Sequence, residues 1–325
     1  MIGRLVAHGR RKNPGRVLVS TMPRPGERAA ARSPPEGVGA MRHRLAGALI
    51  ALLVAAPAAR AQVRIVAAEN FYGDIARQIG GPDVAVTSIL ANPDQDPHEF
   101  EASPSTARAL ADAAVVVYNG AGYDAWAARL LSASPSASRR VIVVAKLVHK
   151  KPGDNPHLWY DPRTVSALGG TLADVLSTLD PGHSAAYRSR LAAFVQSMKP
   201  LAGQIAEVRG KYAGMPVTAT EPVFGYMADA LGLDMRNRRF QLAVMNDTEP
   251  SPAEMAAFAH DLRTKAVKVL IYNSQTSGEL TRRMRAIAHD AGIPVVGVTE
   301  TEPQGKDYQE WMRSQLDALD RALAR

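Results

Sequence analysis

Residues 191–212 read LAAFVQSMKPLAGQIAEVRGKY. Leu191, Phe194, Val195, Met198, Leu201, Ile205 and Val208 recur at three- and four-residue spacing, the period of one helix face. No strand signal interrupts the chain from about Pro181 to Tyr212, which predicts one long amphipathic helix. Pro200 lies inside it without the N–H that a helix interior uses, and predicts a kink. What lies on either side of this helix decides the fold.

Both sides alternate. Upstream, short β-branched runs at 64–67, 84–89, 115–118 and 141–144 are separated by helical patterns at 72–79, 104–113, from about 123 onward, and 163–179. Ser103-Pro104 is a strong helix start, with serine as cap and proline at the first helical position. Downstream, strands at 217–219, 267–272 and 295–299 alternate with helices at 223–231, 252–264, 278–291 and 308–323. Such alternation implies mainly parallel sheets flanked by helices. The expected fold is therefore α/β with two lobes, at 62–180 and 213–325, joined by one long backbone helix at 181–212.

The charge of +8 suggests an anionic partner, but it is unevenly spread. Residues 1–61 hold 11 Lys and Arg against 2 Asp and Glu; of the 39 basic and 31 acidic residues, 28 and 29 remain for the rest, a net of −1. Nucleic-acid binding by the body thus loses its support. Within the leader, Arg42-His43-Arg44 is a positive start, 45–56 an apolar run, and Ala59-Arg60-Ala61 a small-x-small cleavage pattern. Residues 41–61 read as a secretory signal peptide ending at Ala61, too short to span a bilayer. Residues 1–40 read as a disordered extension, or as a misplaced start with Met41 the true one. The chain has no cysteine, so disulfides and a lipid-bearing cysteine are both excluded. A monomer free in the periplasm, with no membrane anchor, is the expectation.

In open parallel sheets ligands bind beyond the carboxyl ends of strands. The polar residues there are His98 in DPHEF, His157 in NPHLWYDP, Glu221 in TATEP and Glu300 in VTETEP, two from each half. Taken singly, each has a plain structural reading: a solvated loop histidine, an acid favoured at a helix start, a surface acid. Taken together, two imidazoles and two carboxylates suit a divalent transition metal in a cleft between the lobes. Proline precedes both histidines and biases the chain there toward extended backbone.

At these residues the chain resembles the substrate-binding proteins of zinc and manganese ABC transporters. AENFYGDIARQIGG, DPHEFEASPS, NPHLWYDP, TEPVFGYMADALGL and the closing VTE before GKDYQEWM carry the resemblance, over nearly all of 63–325. It implies that His98, His157, Glu221 and Glu300 ligate one Zn²⁺ or Mn²⁺ per chain, and that a membrane permease receives it. Relatives commonly carry aspartate at the last position, one methylene shorter than Glu300; Glu302 and Asp307 are the alternative candidates for that ligand. The long histidine-rich loop of many zinc scavengers is replaced by the short, basic VHKKPGD at 148–154. Carboxylates binding through both oxygens would favour manganese, and one-oxygen binding would close a tetrahedral zinc site; the His-His-Glu-acid set resembles the manganese binders more.

Asp96 and Asp161 are candidates to hold the imidazoles, while Trp159 and Tyr160 are expected to pack inside their lobe. Two other classes compete. A secreted metallohydrolase needs an open coordination position and a base, and neither H-E-x-x-H nor G-x-S-x-G is present. A siderophore- or cobalamin-binding protein needs a wide aromatic- or arginine-lined cleft; aromatics are 6%, and only Arg236, Arg238 and Arg239 cluster. A surface adhesin is argued against by the missing anchor.

Overall fold

A computed structural model describes residues 61–325, apart from 94–96, 247 and 277 and the side chain of His98. The expected leader and extension fall outside the described residues, save Ala61. The first sheet is built from β1 (Val63–Glu69), β2 (Val84–Leu90), β3 (Val115–Tyr118) and β4 (Arg140–Val143) in the order β2-β1-β3-β4, all parallel. Its helices are α1 (Asn70–Gly80), α2 (Pro104–Asp112), α3 (Ala125–Ala133), α4 (Val144–Leu147) and α5 (Pro162–Leu179). Ser103 caps α2 as expected, accepting from Thr106 N at 3.2 Å.

The connecting helix consists of α6 (Ser184–Ser197) and α7 (Lys199–Tyr212), preceded by a 3-10 turn at Pro181–His183. Met198 between them keeps right-handed helical angles, so the chain bends without unwinding. Pro200 supplies the cause, since it has no N–H to offer the preceding turn.

The second sheet repeats the first: β5 (Pro216–Ala219), β6 (Asp234–Arg236), β7 (Leu270–Asn273) and β8 (Val295–Val298) lie parallel in the order β6-β5-β7-β8. Helices α8 (Gly225–Ala230), α9 (Arg238–Met245), α10 (Pro252–Arg263), α11 (Glu279–Asp290) and α12 (Tyr308–Leu323) cover it. Three elements escape the sequence pattern, the first being the one-turn helix α4, whose Val144 the sequence assigns to the end of a strand. Strand β6 has one buried side chain, Met235, between two exposed ones, too short a run to display alternation. Helix α9 buries only Phe240 and Gln241. The expected strand at 267–272 is shifted to end one residue later, at Asn273, and the helix expected from Val223 begins with a 3-10 turn at Pro222–Phe224.

One hydrophobic core runs through both lobes. Phe71 and Trp159 from the first half pack with Trp311 of α12, at centroid separations of 4.7 Å (Phe71–Trp159) and 5.8 Å (Phe71–Trp311). Tyr160 meets Phe224 at 5.3 Å and Trp311 at 5.9 Å. All five rings are essentially buried, and truncating any one to alanine costs about 3–5 kcal/mol by the usual cavity reckoning. Polar ties complete the joint. Tyr160 donates to the Thr299 carbonyl at 2.7 Å, and Tyr308 to the Trp159 carbonyl at 2.6 Å. Asn70 pairs both ways with the backbone of Glu302, at 2.7 and 3.0 Å. Among the described residues no helix is long and apolar enough to cross a membrane.

Candidate metal centre

In each sheet the strand order reverses between the two middle strands, β1/β3 and β5/β7, the place where such sheets leave a crevice at their carboxyl ends. His157 arrives there from the first half. The segment 155–157 turns sharply before a 3-10 turn at Leu158–Tyr160, whose three side chains are buried in the shared core. His157 itself is 1% exposed.

Asn155 holds the imidazole. Its Nδ2 donates to the Pro222 carbonyl at 2.8 Å, which turns Oδ1 toward His157, 2.6 Å from Nδ1. The same oxygen accepts from the His157 backbone N–H at 3.1 Å. An oxygen can only accept, so Nδ1 donates to it and Nε2 is the ring nitrogen left to face the carboxylates. That buried Nε2 has no hydrogen-bond partner and faces Glu300 Oε2 at 3.5 Å. The role considered for Asp161 thus belongs to Asn155. Asp161 instead caps α5, accepting from Arg163 N at 3.0 Å and pairing with the Arg163 guanidinium at 2.8 Å. Asp96 lies outside the described residues. Trp159 and Tyr160 are buried as packing residues, but at the joint with the second half and not inside their own lobe alone; Trp159 lies 5.3 Å from the imidazole, ring to ring.

The second half supplies the carboxylates. Glu221 follows β5 and precedes the 3-10 turn at Pro222; Glu300 follows β8. They converge on the amide of Asn273 at the end of β7: Nδ2 lies 2.5 Å from Glu300 Oε1 and 3.2 Å from Glu221 Oε2. Thr276 donates to Glu221 Oε1 at 2.8 Å. Gln275 accepts from the backbone N–H of Glu300 and of Thr301, at 2.5 and 3.1 Å, and its Nε2 reaches the Pro93 carbonyl of the opposite lobe at 2.8 Å. Burial raises the Glu221 carboxyl above its ordinary range, and the charge of Glu300 raises it further; Thr276, Asn273 and His157 pull it down. Burial first, and the charge of Glu300 second, push the Tyr123 hydroxyl well up.

Three of the four expected residues, His157, Glu221 and Glu300, therefore meet at one place. His98 lies on the 3-10 turn Pro97–Glu99 after β2, and its side chain is outside the described set. Among the described residues no group of three or more His, Cys, Asp or Glu side chains is placed so that it could hold a metal ion. The neighbouring acids are engaged elsewhere. Asp307 caps α12, accepting from Glu310 N at 2.8 Å. Glu302 is buried beside Asp74, and burial first, then that charge, lifts its carboxyl to about 9.

The chemistry of this donor set fits a divalent cation. Two buried carboxylates, the charge of Glu300 raising the proton affinity of Glu221, sit beside an imidazole whose Nε2 faces them, and a cation would offset the carboxylate charge. Asn155, Asn273, Gln275 and Thr276 are not among the residues that the sequence singles out, since amides and hydroxyls carry no metal-ligand signal of their own. Their signal is position: Asn273 closes a strand at the point of order reversal, and NSQT follows it directly.

The model of the zinc-uptake complex component A family, described as periplasmic, matches residues 65–322. The chain belongs to this family. Relatives are distant. The manganese ABC transporter substrate-binding lipoprotein PsaA of Streptococcus mitis is 23% identical over 288 residues, covering 81% of this chain and 90% of that protein. The iron ABC transporter substrate-binding lipoprotein MtsA of Streptococcus pyogenes is 22% identical over the same shares. Among solved structures, the periplasmic zinc-binding protein TroA of Treponema pallidum superposes with a TM-score of 0.69 at 18% identity, over 82% of this chain and 100% of that one. FpvC of Pseudomonas aeruginosa in complex with Mn²⁺ gives 0.66 at 20%, over 81% and 99%. The family member's two helix-linked parallel-sheet lobes thus follow an architecture known from metal-binding proteins.

Proposed function

We propose that this protein captures one divalent transition metal, Zn²⁺ or Mn²⁺, in the periplasm and delivers it to the membrane permease of an ABC transporter. The metal is cargo, and the expected ligands are His98, His157, Glu221 and Glu300. The observation that carries this reading is the convergence of His157 Nε2 on Glu300 beside the Asn273-held carboxylate pair. Membership of the zinc-uptake family and the transporter components among the relatives support it.

The rival classes draw less from the molecule. His157 and Glu300 are 1% and 0% exposed, a burial that suits a bare ion better than a bulky chelate. Of the arginine cluster, Arg236 pairs with Asp261 at 3.4 Å and Arg238 with Asp229 at 2.9 Å. Export on residues 41–61 belongs to the same reading. The deciding experiment is metal analysis of the protein purified from the periplasm, with competition titrations of Zn²⁺ and Mn²⁺. One tightly bound metal per chain, lost in His98→Ala and in His157→Ala, is expected. Wild-type protein without stoichiometric metal in either assay overturns the proposal.

A further inference from the structure

Asn273 is 1% exposed and is held by three contacts. Its Oδ1 accepts from Gln275 N at 3.0 Å, which fixes the amide orientation and directs Nδ2 at both carboxylates. One oxygen of Glu300, Oε1, is thereby committed at 2.5 Å, while Oε2 is the one that faces His157 Nε2 at 3.5 Å. Glu221 is restrained on both oxygens, by Asn273 at 3.2 Å and by Thr276 at 2.8 Å. A carboxylate chelates through two oxygens only if both turn to the metal, and the amide turns one oxygen of Glu300 away.

We infer that Asn273 is a specificity-determining residue: by holding Glu300 to one-oxygen binding it keeps the coordination number low and selects Zn²⁺ over Mn²⁺. This rests on the metal-capture reading above. Two imidazoles and two one-oxygen carboxylates give four donors, the number that zinc takes in closed sites. Manganese, a harder ion, suits oxygen-rich octahedral surroundings and gains when a carboxylate supplies its second oxygen. Removing the amide lets Glu300 swing to two-oxygen binding and shifts the preference toward manganese.

The test uses the full chain as wild type, Asn273→Ala and Thr276→Val, loaded with Co²⁺ as a spectroscopic probe and titrated with Zn²⁺ and Mn²⁺ against a competing chelator. Wild type is expected to give the intense visible bands of four-coordinate Co²⁺. In Asn273→Ala those bands weaken, and the Mn²⁺-to-Zn²⁺ affinity ratio rises at least about tenfold, the lower end of what an outer hydrogen-bond partner changes at a metal. The ratio cancels any loss common to both metals, so a merely structural role of Asn273 leaves it fixed. Thr276→Val keeps the Glu300 contact; both affinities fall while the ratio moves less than about threefold, short of that same outer-partner range. Should Asn273→Ala lose its cooperative melting transition, Asn273→Ser takes its place with the same readouts.

Weak, six-coordinate Co²⁺ bands in wild type overturn the inference, as does an alanine or serine variant with unchanged bands and ratio. Absence of stoichiometric metal from wild type instead overturns the metal-capture reading itself.

Discussion

The two sheets share one strand order, yet they treat the acid at the reversal point in opposite ways. In the first, β1 ends in Glu69, and Asp124 stands against it beyond β3, both 1% exposed. Burial raises the Asp124 carboxyl, and the hydrogen bonds it accepts from the backbone N–H of Gly120 at 2.8 Å and of Asn119 at 2.5 Å pull it back in part. Burial first, and the Asp124 charge second, push the Glu69 carboxyl well up, so it holds a proton. In the second, Glu221 and Glu300 meet at Asn273 with an imidazole lone pair facing them. In the first sheet the buried acids have only each other and backbone N–H groups beside them; in the second the acids face a histidine from the opposite lobe, the arrangement on which the metal-capture proposal rests. The lesson is that topology places acids at this edge, and the side chains around them decide which cation they take.

The contrast breaks first at His157. His157→Ala removes a proposed metal ligand and is expected to weaken Zn²⁺ binding by more than about 100-fold, beyond the range of outer-shell changes, in chelator competition. Asn155→Ala leaves the ligand and removes what fixes its tautomer; a loss of about 10–100-fold is expected. An affinity equal to wild type would show that the Asn155 contact is incidental.

Glu69→Gln addresses the other half. A carboxyl whose folded value is raised binds more protons folded than unfolded, so stability is greatest below the unfolded value of about 4.3 and falls as pH rises toward the folded one. Glu69 and Glu302 both contribute this sign, and for Glu302 the window extends up to about 9. The metal-free wild type should therefore melt at lower temperature at pH 8 than at pH 5. Glu69→Gln should flatten that fall by on the order of 2–4 °C, the shift about 1 kcal/mol makes in a domain of this size, with Zn²⁺ affinity unchanged. A large loss of affinity in this variant would erase the distinction drawn between the lobes. The smallest effect concerns their relative motion: with one core and polar ties crossing the joint, solution scattering is expected to show little change in radius on metal addition.

Much of this was legible in residue order. Periodicity marked the long helix and its bend at Pro200 because an amphipathic face and a missing N–H are local properties. Strand alternation marked both lobes, and strand ends marked His157, Glu221 and Glu300. Strand β6 and helix α9 escaped because they bury too few side chains to leave a period. What the tertiary structure alone decided is which polar neighbour serves which ligand. Asn155 and Asp161 both stand within four residues of His157; Asp161 caps α5, while Asn155 turns to His157 because Pro222, sixty-seven residues away, occupies its other end. Asn273 joins Glu221 and Glu300 only because β7 lies beside both β5 and β8. Hydrogen-bond partners separated this far in sequence are chosen by packing, and packing is not a property of any short stretch.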